Sequence, residues 1–97
     1  MKTEDKKALI TEAVNCQGMQ KQLQHFHEEI GELMTSISHY LRGRCTKAQL
    51  MIEIVDARMM IDAIEEAFQI DPVEYEKIED QQWNKFKSQM LERIEND

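Results

Sequence analysis

Apolar residues recur at helical spacing along almost the whole of this chain. Leu9, Ile10, Ala13 and Val14 mark the apolar side of a short first helix, roughly residues 4 to 16, with Thr3 placed to cap it and Gly18 to break it. A longer helix is predicted from about 19 to 41. Its stripe is Leu23, Phe26, Ile30, Leu33, Met34, Ile37 and Leu41, the i, i+3, i+4 spacing that turns one side of a helix toward a core. It stops near Arg42-Gly43-Arg44. Thr46 and Gln49 then read as a capping box that opens a third helix over about 47 to 69. That helix is apolar on most of its circumference and is expected at the centre of a bundle. Asp71-Pro72-Val73-Glu74 combines an N-cap, a proline at the first helical position and an acid at the third. It predicts a last helix over 72 to 95, with Val73, Ile78, Trp83, Phe86, Met90 and Ile94 free to pack. The expectation is all-α: one domain over residues 1–97, a bundle of about four helices with a central antiparallel helix hairpin, completed by oligomerisation.

Composition agrees and adds limits. Three glycines and one proline in 97 residues leave little to interrupt helix. A chain this short builds a limited core of its own, and dimers or larger assemblies are common helpers. The net charge of −7 disfavours a nucleic-acid polymer as partner, which needs a basic surface. It fits a divalent-cation site, and equally plain solubility. No apolar run approaches a membrane span, and MKTEDKKALITEAV lacks the apolar stretch of a signal peptide, so a cytoplasmic location is expected. Cys16 and Cys45 have no CxxC spacing and read as free thiols.

The candidate chemistry lies in IEIVDARMMIDAIEEAF, residues 52 to 68. At roughly 100° per residue, Arg58, Asp62, Glu65 and Glu66 share a solvated side. Glu53 and Asp56 fall opposite, among Ala57, Met60, Ala63, Ile64 and Ala67. A carboxylate on an apolar face shifts its pKa, pairs with a cation or binds a metal. The second helix carries a matching set. Gln22, His25, Glu29, Glu32, Ser36 and His39 form a polar stripe along its apolar face, with Glu28 beside them. Glu29 and Glu32 are three apart, as are Glu53 and Asp56, and side chains at that spacing are neighbours. Glu32 lies 12 residues before Arg44 and Asp56 lies 12 after it, so an antiparallel pair of helices brings both sets to one height. Four facing carboxylates repel unless neutralised. Mg²⁺, or Mn²⁺, suits an all-oxygen donor set and keeps waters for substrate phosphates.

The pattern is E-E-x-x-E, then twenty residues, then E-x-x-D. It resembles the MazG-like, all-α nucleoside triphosphate pyrophosphohydrolases. QLQHFHEEIGEL, residues 22 to 33, is similar to that family's first motif, with Gln22 six residues before the paired acids. MIEIVDARMMIDAI, residues 51 to 64, is similar to its second, and WNKFKSQMLERI, residues 83 to 94, to the basic tail helix of small members. The resemblance spans roughly residues 20 to 95. It implies Mg²⁺-dependent hydrolysis of nucleoside triphosphates to monophosphate and pyrophosphate by a homodimer or homotetramer. It implies Glu29, Glu32, Glu53 and Asp56 as metal ligands, and Glu28 as an auxiliary acid. Either Glu28 or Glu29 would take the proton from water. Lys85, Lys87 and Arg93 are the nominees for phosphate contacts, Asn84 for base or sugar, and Gln22 for phosphate or base.

Other readings stand beside this one. No glutamate has a histidine three residues after it, so a ferritin-like di-iron site is not expected, and His25 and His39 read as polar neighbours of the acids. Trp83 and the methionines read first as packing residues. A MazG-like module that binds without turnover is one rival. A structural helical dimer whose acids pair with Arg42, Arg44 or Lys47 is another.

Overall fold

Local signals set each helix boundary. In the computed structural model, which describes residues 1–96, the chain forms four helices: α1 (Thr3–Gln17), α2 (Met19–Leu41), α3 (Lys47–Ala67) and α4 (Pro72–Asn96). Thr3 is not a cap. It is the first helical residue, and Lys2 precedes it without a side-chain cap bond. Gly18 separates α1 from α2 at φ +84° and ψ 157°, backbone that side chains strongly disfavour, and its N–H closes α1 on Val14 O at 2.8 Å.

α2 ends in a Schellman turn. Arg44 N–H bonds His39 O at 2.8 Å and Gly43 N–H bonds Tyr40 O at 3.0 Å, with Gly43 at φ +70°. The box at the start of α3 is complete. Gln49 N–H donates to Thr46 Oγ1 at 3.2 Å, and Thr46 N–H donates to Gln49 Oε1 at 2.8 Å. α3 stops at Ala67, two residues short of the sequence expectation. The same turn closes it, through Ile70 N–H to Glu65 O and Gln69 N–H to Glu66 O. Gln69 takes the left-handed conformation at φ 54° that glycine usually fills, so no glycine signals this end. Asp71 Oδ1 accepts the Val73 N–H at 3.2 Å and opens α4.

α2 and α3 pack on each other, and α1 touches both. The packed side of α3 carries Leu50, Glu53, Asp56, Ala57, Met60, Ala63 and Ile64. Ala57 and Ala63 are buried, at 3% and 8% exposure, and these small side chains let the neighbouring helices come close. The packed side of α2 is rotated from its apolar stripe toward its polar edge. Gln22, Phe26, Glu29, Ile30, Leu33 and Ser36 are half-buried, whereas Leu23, Met34, Ile37 and Leu41 are exposed.

α3 therefore lies against two helices without being surrounded. Met51, Ile52, Val55 and Met59 remain open to solvent. α4 runs clear of the three-helix body, its backbone approaching none of the other helices. Its nearest link is at the corner, where the charge of Glu65, with Glu79 and burial behind it, holds the Tyr75 phenol above its ordinary range. Among the described residues, no helix is long and apolar enough to cross a membrane.

The capping box is a measurable part of this stability. Thr46→Ala should lower the unfolding free energy by about 1 kcal/mol, a drop in Tm of roughly 4–8 °C for a domain of this size. Urea and thermal unfolding of the variant against wild type reads it, and an unchanged midpoint would show that the cap contributes nothing.

Candidate metal centre

Two helices bring the carboxylates together. Cys45 Sγ lies 3.5 Å from Ser36 O, so the chain after the connection returns along the end of α2. Further along, Glu29 of α2 meets Glu53 and Asp56 of α3. One carboxylate oxygen from each lies within 4.8 Å of the others, and all three residues are half-buried. Glu29 Oε2 and Glu53 Oε2 are shielded from water and have no hydrogen-bond partner. An oxygen left in that state is costly when it bears charge.

The electrostatics follow from this placement. The Glu29 carboxyl is held above the ordinary glutamate value of 4.5, first by desolvation and then by the charges of Glu32, Asp56, Glu53 and Glu28. Glu53 is raised in the same direction, by desolvation and then by Glu32 and Asp56. Glu32 is near enough to accept a hydrogen bond from a protonated Glu53. Two ionised carboxylates have no donor to share, so both Oε2 atoms lack partners when the cluster is fully charged.

Among the described residues the one close approach of a basic side chain to a carboxylate is His25 Nδ1 to Glu28 Oε2, at 3.7 Å on the exposed side of α2, an ion pair only when the imidazole is protonated. No arginine or lysine reaches Glu29, Glu53 or Asp56. The donor set is all oxygen and partly dehydrated, a set that could hold a hard divalent cation.

The remaining candidates are placed differently. Glu32 is exposed at the rim of the cluster and stands outside the close triad. Glu28 is exposed and engaged with His25. Gln22 is half-buried two turns before Glu29, its amide nitrogen bonded to Gln17 Oε1 at 2.8 Å. Asn84, Lys85, Lys87 and Arg93 all lie on α4, apart from the cluster.

An open, apolar strip of α3 made of Ala48, Met51, Ile52 and Val55 borders the site beside Asp56. Its signal was present in the chain as a second apolar strip on α3, at i, i+4, i+7 and i+11 from Ala48. No protein-family profile, curated protein or solved structure matches the chain.

The raised carboxyls fix the sign of a pH effect. A group whose pKa rises on folding binds more protons folded than unfolded, so stability falls as pH climbs from the unfolded value, near 4.5, through the raised one. Above that window the loss is complete. In EDTA, wild type should therefore weaken on going from pH 4 toward neutrality. Glu53→Gln should flatten that slope and be the more stable protein at pH 7. Urea unfolding at several pH values decides it, and a Glu53→Gln protein weaker than wild type at pH 7 would contradict the repulsion.

Proposed function

We propose that this protein is a divalent-metal-dependent hydrolase of nucleoside triphosphates that releases pyrophosphate and the monophosphate. The observation that carries the reading is the triad of Glu29, Glu53 and Asp56, drawn from two helices, with two shielded oxygens that nothing among the described residues satisfies. In this reading α2 and α3 form an antiparallel hairpin, since Cys45 returns to Ser36 and Glu29 meets Asp56 across the connection at 42–46. The substrate class rests on the motif resemblance of residues 22–33 and 51–64.

Glu29, Glu53 and Asp56 would hold Mg²⁺ or Mn²⁺. Such an ion, when bound, neutralises charge on phosphate oxygens and makes a bound water more acidic. The protein's own part is to hold these carboxylates close together although desolvation and mutual repulsion raise Glu29 and Glu53, a cost that a bound cation would offset. Glu32, at the solvated rim beside Glu53 and outside the triad, is the carboxylate we assign to accept the proton from attacking water. Glu28, turned to His25, supports that edge of α2. In this reading the acids of the two motifs divide into Glu29, Glu53 and Asp56, which would bind the ion, and Glu32, which would take the proton.

A module that binds nucleotide without turnover is the second reading. It is favoured by the position of Lys85, Lys87 and Arg93, which stand apart from the acids within one chain.

Pyrophosphate release from a panel of ribo- and deoxynucleoside triphosphates, with Mg²⁺ and with EDTA, tests the proposal. Release with Mg²⁺ alone is expected, and Asp56→Asn should abolish it while leaving the helices intact. Mg²⁺ at 100 times its Kd should also stabilise wild type by about 2.7 kcal/mol and leave Asp56→Asn unmoved. Turnover in EDTA, or full activity in Asp56→Asn, would sink the metal assignment. Stabilisation by Mg²⁺ without turnover would favour the second reading.

A further inference from the structure

α4 leaves the three-helix body at a corner that already turns it back toward α3. The connection, residues 68–71, has the length that joins antiparallel neighbours in helical bundles. In the first turn of α4 the Tyr75 phenol feels the charge of Glu65, then of Glu79 and Asp62, and Glu65 is near enough to accept its hydrogen bond. Asp62 stands on the open side of α3. At roughly 100° per residue it continues the line of Ile52, Val55 and Met59 toward the corner. Tyr75 in turn shares its side of α4 with Glu79, Trp83, Phe86 and Met90. The side of α4 that approaches α3 at the corner is therefore the side with the apolar ridge, and the side of α3 that it approaches carries the apolar strip.

Heights match as well. Asp56 lies 11 residues before Ala67, and Trp83 lies 11 after Pro72; Ile52 and Lys87 are each 15 away. At about 1.5 Å per residue, an antiparallel α4 sets Trp83 level with Asp56 and Lys87 level with Ile52. Asp56 and Lys87 both lie roughly 75° round from the facing lines, in the direction the chain winds. For two antiparallel right-handed helices that direction is one flank, so acid and lysine come to the same side. Their side chains lean toward each other, since each points back toward the start of its own helix.

The surfaces concerned are open in this structure. Ile52 is 59% exposed, and Trp83 and Phe86, meeting edge to face at 5.9 Å, are 64% and 53% exposed. The radius of gyration is 17.0 Å with α4 extended, against about 12.5 Å for a compact chain of this length. Burial of that apolar surface favours closure. Like charge opposes it just inside the corner, where Glu79 is set with Asp62 and Glu65 around Tyr75.

We propose that α4 is a lid, hinged at 68–71, that folds back along the open side of α3, covers Ile52, Val55 and Met59 with Trp83, Phe86 and Met90, and brings Lys87 beside Asp56. The acids at the corner are its brake. Closure completes a four-helix bundle within one chain. It puts a lysine at the edge of the carboxylate cluster when shut and takes it away when open. The closure follows from packing and holds whichever reading of the site is right.

A chain with Cys16→Ser, Cys45→Ser, Ala48→Cys and Met90→Cys carries one thiol on each facing line, 19 and 18 residues from the corner. In dilute solution a short bismaleimide should join the two thiols within one chain, giving a linked product of monomer mass. Ile52→Lys should lower the yield of that product and Glu79→Lys should raise it. Trp83 is the sole tryptophan, so its fluorescence reads closure without a linker. Emission of the wild-type chain should lie to the blue of Ile52→Lys and be quenched less by acrylamide, with equal helix content by circular dichroism. Absence of the intrachain product, or linkage between two chains only, overturns the lid. So does a Trp83 equally exposed in wild type and Ile52→Lys. A yield unmoved by Glu79→Lys overturns the brake. None of these readouts needs metal or nucleotide, so a negative result leaves the metal assays to stand or fall separately.

Discussion

The structure turns on a conflict held between α2 and α3: the face that joins them is also the face that carries like charges. Glu29, Glu53 and Asp56 meet where two helices pack, with no cation from the chain among them. Charge is expensive there, and each carboxylate raises the cost of its neighbours. Only protons or a bound cation relieve it. Where α2 packs on α3, Glu29 is half-buried while Met34 and Leu41 are exposed.

A bundle arranged in this way has little apolar interior to spare. Ala57 and Ala63 are its buried apolar side chains among the described residues, and they contribute closeness of approach rather than volume. Helix ends carry a good share of the order instead. The Schellman turns after Leu41 and Ala67, the Thr46 box and the Asp71 cap each satisfy backbone groups that would otherwise lack partners. These devices define where helices begin and end, but they hold no helix against another. The large apolar side chains left outside, above all on α4, are where association has the most to gain.

Asp56 belongs to both parts of this picture. It is one of the three meeting carboxylates, and it borders the apolar strip on α3. The carboxylate cluster and the exposed apolar strip therefore share one turn of α3. The rim carboxylate Glu32 lies on the other helix and stays open to water.

Sequence alone determined the elements and the pairing of the acids. Four helices follow from spacing, capping residues and turn glycines, because those signals act within a few residues of the backbone they satisfy. Glu53 and Asp56 were legible on the packed face of α3 because a helix converts sequence spacing directly into direction. The end of α3 was read two residues long, since Gln69 adopts a conformation that its side chain does not announce. What only the tertiary structure decided is the depth and rotation of each face. Glu29 joins the triad while Glu32 stays at the rim, and the apolar side of α2 is half given over to solvent. Position along a helix fixes direction, but burial depends on which neighbour arrives and how closely. In this chain α1 and α2 arrive and α4 does not. The nominees on α4, Asn84, Lys85, Lys87 and Arg93, were named from residue type, and type carries no information about distance.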